Sequence, residues 1–160
     1  MGDNMETSTP IKQDIAKFMQ IVDDMAKNSG CIRKHRQFGA AIVQGGRVIS
    51  TGFNIAPPGT QICRDIAKDD TECIRYNIPS GTRIEETCCV CAEQNAILAC
   101  ARDGIAISGA DMYTSAYPCP VCMRFIITSG IRRVFYREFY PSPIGQDLAK
   151  QSGIELVKVD

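Results

Sequence analysis

Two short cysteine-bearing fragments constrain this chain more than any other feature. Cys91-Ala92-Glu93 heads a helical run over 91–102, and Pro118-Cys119-Pro120-Val121-Cys122 heads the next, which reaches Ser129-Gly130. Only a strand-like run over 110–114 separates them. Cys119 and Cys122 are one helical turn apart, so their sulfurs face the same way. The partial positive charge of a helix amino-terminus favours thiolate over thiol. Cys91, at the start of the neighbouring helix, adds a third thiolate. Three protein ligands leave the fourth tetrahedral position of a zinc ion open to water, as in catalytic rather than structural sites. Glu93, in the same turn as Cys91, can stand beside that water without ligating the metal.

Each fragment alone has an ordinary explanation. A C-x-x-C pair can be a structural zinc pair or a redox dithiol at a strand-to-helix junction. Cys91 can be a small buried hydrophobe and Glu93 a capping acid. Together, on consecutive helices joined by one strand and with Pro118 before the pair, they match the zinc deaminase signature, whose first ligand is His or Cys. Two rival classes stand beside it. A redox protein built on Cys119 and Cys122 binds no metal when reduced, and a zinc-stapled binding module needs no Glu93.

The 160 residues (17.6 kDa) suit one domain spanning 1–160, with 1–10 expected to be flexible. Lys plus Arg and Asp plus Glu both number 18, so the formal net charge is zero. Neutrality argues against a stable nucleic-acid partner and is compatible with a homo-oligomer. No run approaches the ~20 apolar residues of a membrane span, and the amino-terminal stretch lacks a secretion signal. The expected compartment is the cytoplasm. Disulfides are rare there, and nine cysteines cannot all pair, so metal ligation leads.

The spacing of Ile11, Ile15, Phe18, Ile21, Val22 and Met25 predicts a helix over 11–27. Runs at 38–43 and 47–51, separated by Gln44-Gly45-Gly46, predict a hairpin. Residues 54–90 hold Pro57, Pro58, Gly59, Pro79 and Gly81 with little periodicity, a long loop that contains Cys63, Cys73, Cys88 and Cys89. Beyond the two cysteine-headed helices come a strand at 131–136, a helix at 144–151 closed by Gly153, and a strand at 154–159. Strands alternating with helices predict parallel pairing and a three-layer α/β/α sandwich. The hairpin makes one strand antiparallel, and the last two strands should be parallel.

From 11 to 159 the chain resembles the deoxycytidylate deaminase family. The resemblance rests on Arg36-Gln37-Phe38-Gly39-Ala40-Ala41-Ile42-Val43, Ile49-Ser50-Thr51-Gly52-Phe53-Asn54 with Pro57-Pro58-Gly59, and Cys91-Ala92-Glu93-Gln94-Asn95-Ala96-Ile97. It continues through Tyr117-Pro118-Cys119-Pro120-Val121-Cys122 and Ile126-Ile127-Thr128-Ser129-Gly130-Ile131. One departure is Cys91, where most deoxycytidylate deaminases carry His and cytidine deaminases carry Cys. The resemblance implies a cytidine deaminase-like fold with a mixed five-stranded sheet. It also implies zinc-dependent hydrolytic deamination of a cytosine nucleotide, dCMP to dUMP with release of ammonia. Deaminases of cytidine, guanine or tRNA adenosine share the zinc core and are the alternatives.

The same resemblance implies Glu93 as proton carrier and Cys91, Cys119 and Cys122 as catalytic-zinc ligands. It puts Asn54 against the sugar or base, the Ala92 N–H on the cytosine carbonyl, and Tyr117 along the base. Locally, Asn54 reads as a turn residue and Tyr117 as a core aromatic. Arg33, Lys34 and Arg36 form one basic cluster in a neutral chain, suited to a nucleotide phosphate or simply solvated; Tyr140 is a further pocket candidate. His35 is expected at the surface. Arg124 is either a cation near the metal or a solvated helix arginine. Some members of the family hold a second, structural zinc, which here implicates Cys31, Cys63, Cys73 and Cys88, with Cys89 competing for the fourth place and expected to turn away. The alternative is that these thiols are reduced and inert. Cys100 is expected in the core. Homo-oligomers (hexamer or dimer) and dCTP and dTTP as effectors are further implications of the family.

Overall fold

In the computed structural model, residues 12–140 and 142–160 are described; the flexibility expected of 1–10 and the helix start at Ile11 lie outside the described residues. Helix α1 (Lys12–Ala26) precedes the hairpin of β1 (Gly39–Gln44) and β2 (Arg47–Phe53). A one-turn helix α2 (Cys63–Ile66) interrupts the next segment, and α3 (Ala92–Asp103) follows it. Then β3 (Asp111–Ala116), α4 (Pro120–Thr128), β4 (Arg133–Glu138), α5 (Pro143–Ser152) and β5 (Glu155–Lys158) alternate. The strands form one five-stranded sheet in the order β2-β1-β3-β4-β5. β1 is antiparallel to both β2 and β3, whereas β3, β4 and β5 are mutually parallel. The mixed sheet and the parallel last pair are as the sequence predicts.

Strand alternation sorts the core into two layers. Ala41, Val43, Tyr113 and Phe135 face α1, which presents Ile15, Phe18, Met19 and Val22. That stripe differs from the sequence expectation by including the buried Met19, which completes the i, i+3, i+4, i+7 spacing of one helix face. Ala40, Ile42, Met112 and Val134 face the opposite layer, where α3 contributes Ala92, Ala96 and Cys100 and α4 contributes Cys122 and Ile126. Cys100 is buried as expected. α5 packs on α4 through Ala149, Met123 and Tyr117. The three layers are therefore α1, the sheet, and α3–α4–α5.

Positive φ at Gly45 (57°) and Gly46 (75°) turns the hairpin, a conformation that glycine adopts without steric cost. Beyond β2, the long segment is more structured than its composition suggests. It contains α2 and a 3-10 turn at Asp70–Glu72, and an antiparallel bridge between Ile55 and Val90 returns its end beside its start. Arg75 clips it internally, donating from Nη2 to the Thr82 carbonyl (2.7 Å) and from Nη1 to those of Arg83 and Glu86. Arg64 ties it to the turn after α1 through the Ser29 carbonyl, at 2.7 Å.

Candidate active site

Cys91 is the N-cap of α3 and Cys119 the N-cap of α4, so both sulfurs stand at positive helix ends. α3 starts here because Gln94 Oε1 accepts from the Cys91 N–H at 3.1 Å, the reciprocal arm of a capping box. α4 starts here because Pro120 occupies its first turn and the Cys122 N–H points at Cys119 Sγ, at 3.5 Å. The sulfurs of Cys91, Cys119 and Cys122 all lie within 4.8 Å of one another. Tetrahedral thiolates ~2.3 Å from zinc stand about 3.8 Å apart, so the trio is gathered to near the span of one ion. The donor set fits zinc: soft, converging, and short of a fourth protein ligand.

Three thiols so close cannot ionise independently. Cys119 is pulled down to about 3 by hydrogen bonds from Cys122 and Cys91 and by backbone N–H groups of α4. Cys122 is pushed well above the usual thiol range by the same pairing and by burial, and Cys91 is also raised, chiefly by its hydrogen bond to Cys119. The trio thus titrates as a group, with Cys119 its most acidic member.

Glu93, only 7% exposed, hangs from the first turn of α3 between the sheet and this trio. Its Oε1 accepts from Thr114 Oγ1 at 3.0 Å, and its Oε2 is 3.5 Å from Cys122 Sγ. Burial first, and then the Cys119 thiolate, push its carboxyl up to about 7. A carboxyl poised there both takes and gives protons at neutral pH. The capping-acid reading is therefore displaced, because Gln94 does the capping.

A cavity of about 400 Å³ opens over this group, lined by Cys91, Ala92, Glu93, Cys119 and Cys122. Arg33, Arg36, Asn54, Tyr117 and Tyr140 line it as well. Asn54 also serves the local fold, its amide accepting from the Phe38 N–H and donating to the Arg36 carbonyl, at 2.8 and 2.9 Å. The Tyr117 ring belongs mostly to the core, edge-on to Tyr136 at 5.1 Å, and its buried hydroxyl has no partner among the described residues. Arg36 reaches Ser80 Oγ at 3.0 Å, and Arg33 reaches the Arg75 carbonyl at 3.1 Å and stacks over Tyr76. Burial raises the Tyr140 phenol, while the Cys119 thiolate adds to that and Arg75 and Arg36 oppose it. His35 is exposed, and so is Lys34, which does not line the cavity. Arg124 is exposed and donates to the Pro120 carbonyl at 3.2 Å, outside the cavity lining; it is the solvated helix arginine.

Cys31, Cys63, Cys73, Cys88 and Cys89 line the same cavity. Burial raises the thiols of Cys31, Cys63 and Cys89, and neighbouring thiols of the group add to it. Among the described residues, Cys91, Cys119 and Cys122 are the only set of three candidate ligands within 4.8 Å of one another. Cys89 does not turn away: it is half-buried, and Cys88 is the exposed one, with its Sγ 3.7 Å from that of Cys89.

Sequence reasoning missed Thr114 and the cavity wall of Arg75 and Ser80. The period-2 register of β3 is the one signal that places Thr114 on the side of α3; the wall has no local signature.

Residues 12–138 match the family described as the cytidine and deoxycytidylate deaminase zinc-binding region. The chain is 34% identical over 139 residues to ComE operon protein 2 of Bacillus subtilis, covering 85% of this chain and 66% of that protein. It is 33% identical over 150 residues to the deoxycytidylate deaminase of Enterobacteria phage T4, covering 76% of this chain and 78% of the phage protein. Its fold superposes with a TM-score of 0.73, at 25% identity, on the dCMP deaminase of cyanophage S-TIM5 solved in complex with dCMP and dUMP, covering 94% of this chain and all of that one.

Proposed function

The chain belongs to the cytidine and deoxycytidylate deaminase zinc-binding family, and on that premise we propose that it hydrolyses dCMP to dUMP and ammonia. One observation carries the reading: Cys91, Cys119 and Cys122 converge with the buried Glu93 carboxyl beside them on the cavity floor. Zinc held by these thiolates supplies a nucleophile at neutral pH by lowering the pKa of a water from 15.7 to about 7. Glu93 takes a proton from the attacking water and delivers it to the ring nitrogen beside C4. The new C4 oxygen then closes to a carbonyl, and its proton passes through Glu93 to the amino group, which leaves as ammonia. Atoms balance: dCMP and water give dUMP and ammonia.

Around that step, the Ala92 N–H at the head of α3 holds the cytosine carbonyl, and Asn54 and Tyr117 border the sugar and base. Arg33, Arg36 and Tyr140 receive the 5′-phosphate, which favours a nucleotide over a free base or nucleoside. Cys31, Cys63, Cys73 and Cys88 hold a second, structural zinc that staples the long segment. The five thiols lining the same cavity support this ion. The enzyme acts as one catalytic domain, in the cytoplasm, as a hexamer or dimer regulated by dCTP and dTTP.

Ammonia release from dCMP, dCTP, cytidine, guanine and an anticodon stem-loop tests the reaction, with dCMP expected to lead. Glu93→Gln should keep its zinc and lose turnover by ~10²-fold or more; full activity in that variant ends the mechanism. Metal analysis tests the second ion. Two zincs per chain, one lost in Cys63→Ser, support it, and one zinc indifferent to that substitution ends it.

A further inference from the structure

Thr114 is fully buried on β3, on the face turned to α3 and α4. Its layer holds Ala40, Ala92, Met112 and Cys122, all apolar or thiol-bearing; of its register partners, Ala40 on β1 offers no polar side-chain atom and Tyr136 on β4 packs edge-on against Tyr117 without hydrogen-bonding Thr114. Valine has the same shape and the higher preference for such a site, because a buried hydroxyl is costly unless it is partnered. The hydroxyl does have a partner: among the described residues, its single hydrogen bond goes to Glu93 Oε1, at 3.0 Å. The other carboxyl oxygen, Oε2, is then left facing Cys122 Sγ at 3.5 Å.

We infer that Thr114 is a positioning residue for the deamination: it fixes one Glu93 oxygen to the sheet so that the other is aimed at the metal side of the cavity. The inference rests on the proposed reaction but concerns a side chain outside the ligand trio. Glu93 sits in the first turn of α3 and its long side chain has several rotamers of similar energy. A carboxyl that must serve the same ring twice, as base and then as acid, gains from being held in one of them. The sheet is the rigid support, and among the described residues Thr114 supplies the hydroxyl that donates to that carboxyl.

Thr114→Val removes the hydroxyl and keeps the shape, whereas Thr114→Ser keeps the hydroxyl and loses a methyl group. The Val variant should lose kcat for dCMP by about ten- to a hundredfold, the scale of a lost supporting contact, with KM and zinc content unchanged. The Ser variant should return to within a few-fold of the parent. A second readout needs no turnover. In the metal-free protein, the Glu93 carboxyl infrared band, assigned by its absence in Glu93→Gln, should shift in Thr114→Val and return in Thr114→Ser. A wild-type kcat and an unmoved band in the Val variant overturn the inference, as does equal loss in both variants alongside lower melting temperature and zinc content. If the parent protein deaminates nothing in the substrate panel, the reaction itself has failed; the infrared comparison still reports on Thr114 separately.

Discussion

An ideal Cβ at Gly52 would stand 2.2 Å from the Ala92 carbonyl oxygen and 2.6 Å from the Ala96 amide nitrogen. The first turn of α3, which carries Glu93 and is capped by Cys91, therefore lies directly on the backbone of β2, and only glycine permits it. Gly52→Ala must push that turn outward. We expect a loss of stability of about 1–3 kcal/mol together with weakened zinc binding, read by urea denaturation and zinc titration. Unchanged values in both would mean that α3 can shift without disturbing the trio.

Zinc binding should release protons. In the metal-free protein the pairing within the trio lowers Cys119 and raises Cys91 and Cys122, which favours one thiolate shared with two protonated neighbours. Ligation requires all three deprotonated, so about two protons should leave per zinc bound at the trio near neutral pH. Acidification favours the protonated side, so affinity falls as pH falls. Calorimetry of Cys63→Ser in buffers of different ionisation enthalpy counts the protons; none released would contradict the arrangement.

Arg36 lines the cavity and is steadied by Ser80. Arg36→Met should raise KM for dCMP by roughly ten- to a hundredfold, the value of a hydrogen bond to a charged group, and leave deoxycytidine nearly unaffected. Equal losses on nucleotide and nucleoside would remove the phosphate from Arg36.

Asp111 and Arg133, register partners on β3 and β4, form a two-bonded ion pair (2.9 and 2.7 Å) with side chains only 10% and 7% exposed. Arg132 joins the same carboxylate at 3.0 Å. Asp111→Asn leaves a buried guanidinium without its counter-charge and should cost about 3 kcal/mol. Pairing it with Arg133→Met should recover much of the loss in chemical denaturation. An undiminished parent-like midpoint in Asp111→Asn would show that Arg132 and Arg133 find other partners.

Sequence alone determined those parts of the protein set by short-range geometry. One helical turn separates Cys119 from Cys122, and Cys91 and Glu93 share the head of α3. Strand and helix alternation likewise determined the parallel pairing of β3, β4 and β5, because consecutive strands joined by helices leave little other choice. The tertiary structure alone decided which distant residues meet. Nothing local announces that Thr114 touches Glu93 across a gap of 21 residues, or that β1 sits between β2 and β3. The cavity wall of Arg75 and Ser80 comes from a segment without hydrophobic period, held by backbone carbonyls and a single bridge from Ile55 to Val90. Such contacts depend on how layers stack and loops close, whereas periodicity records only the face a residue turns to its immediate neighbours.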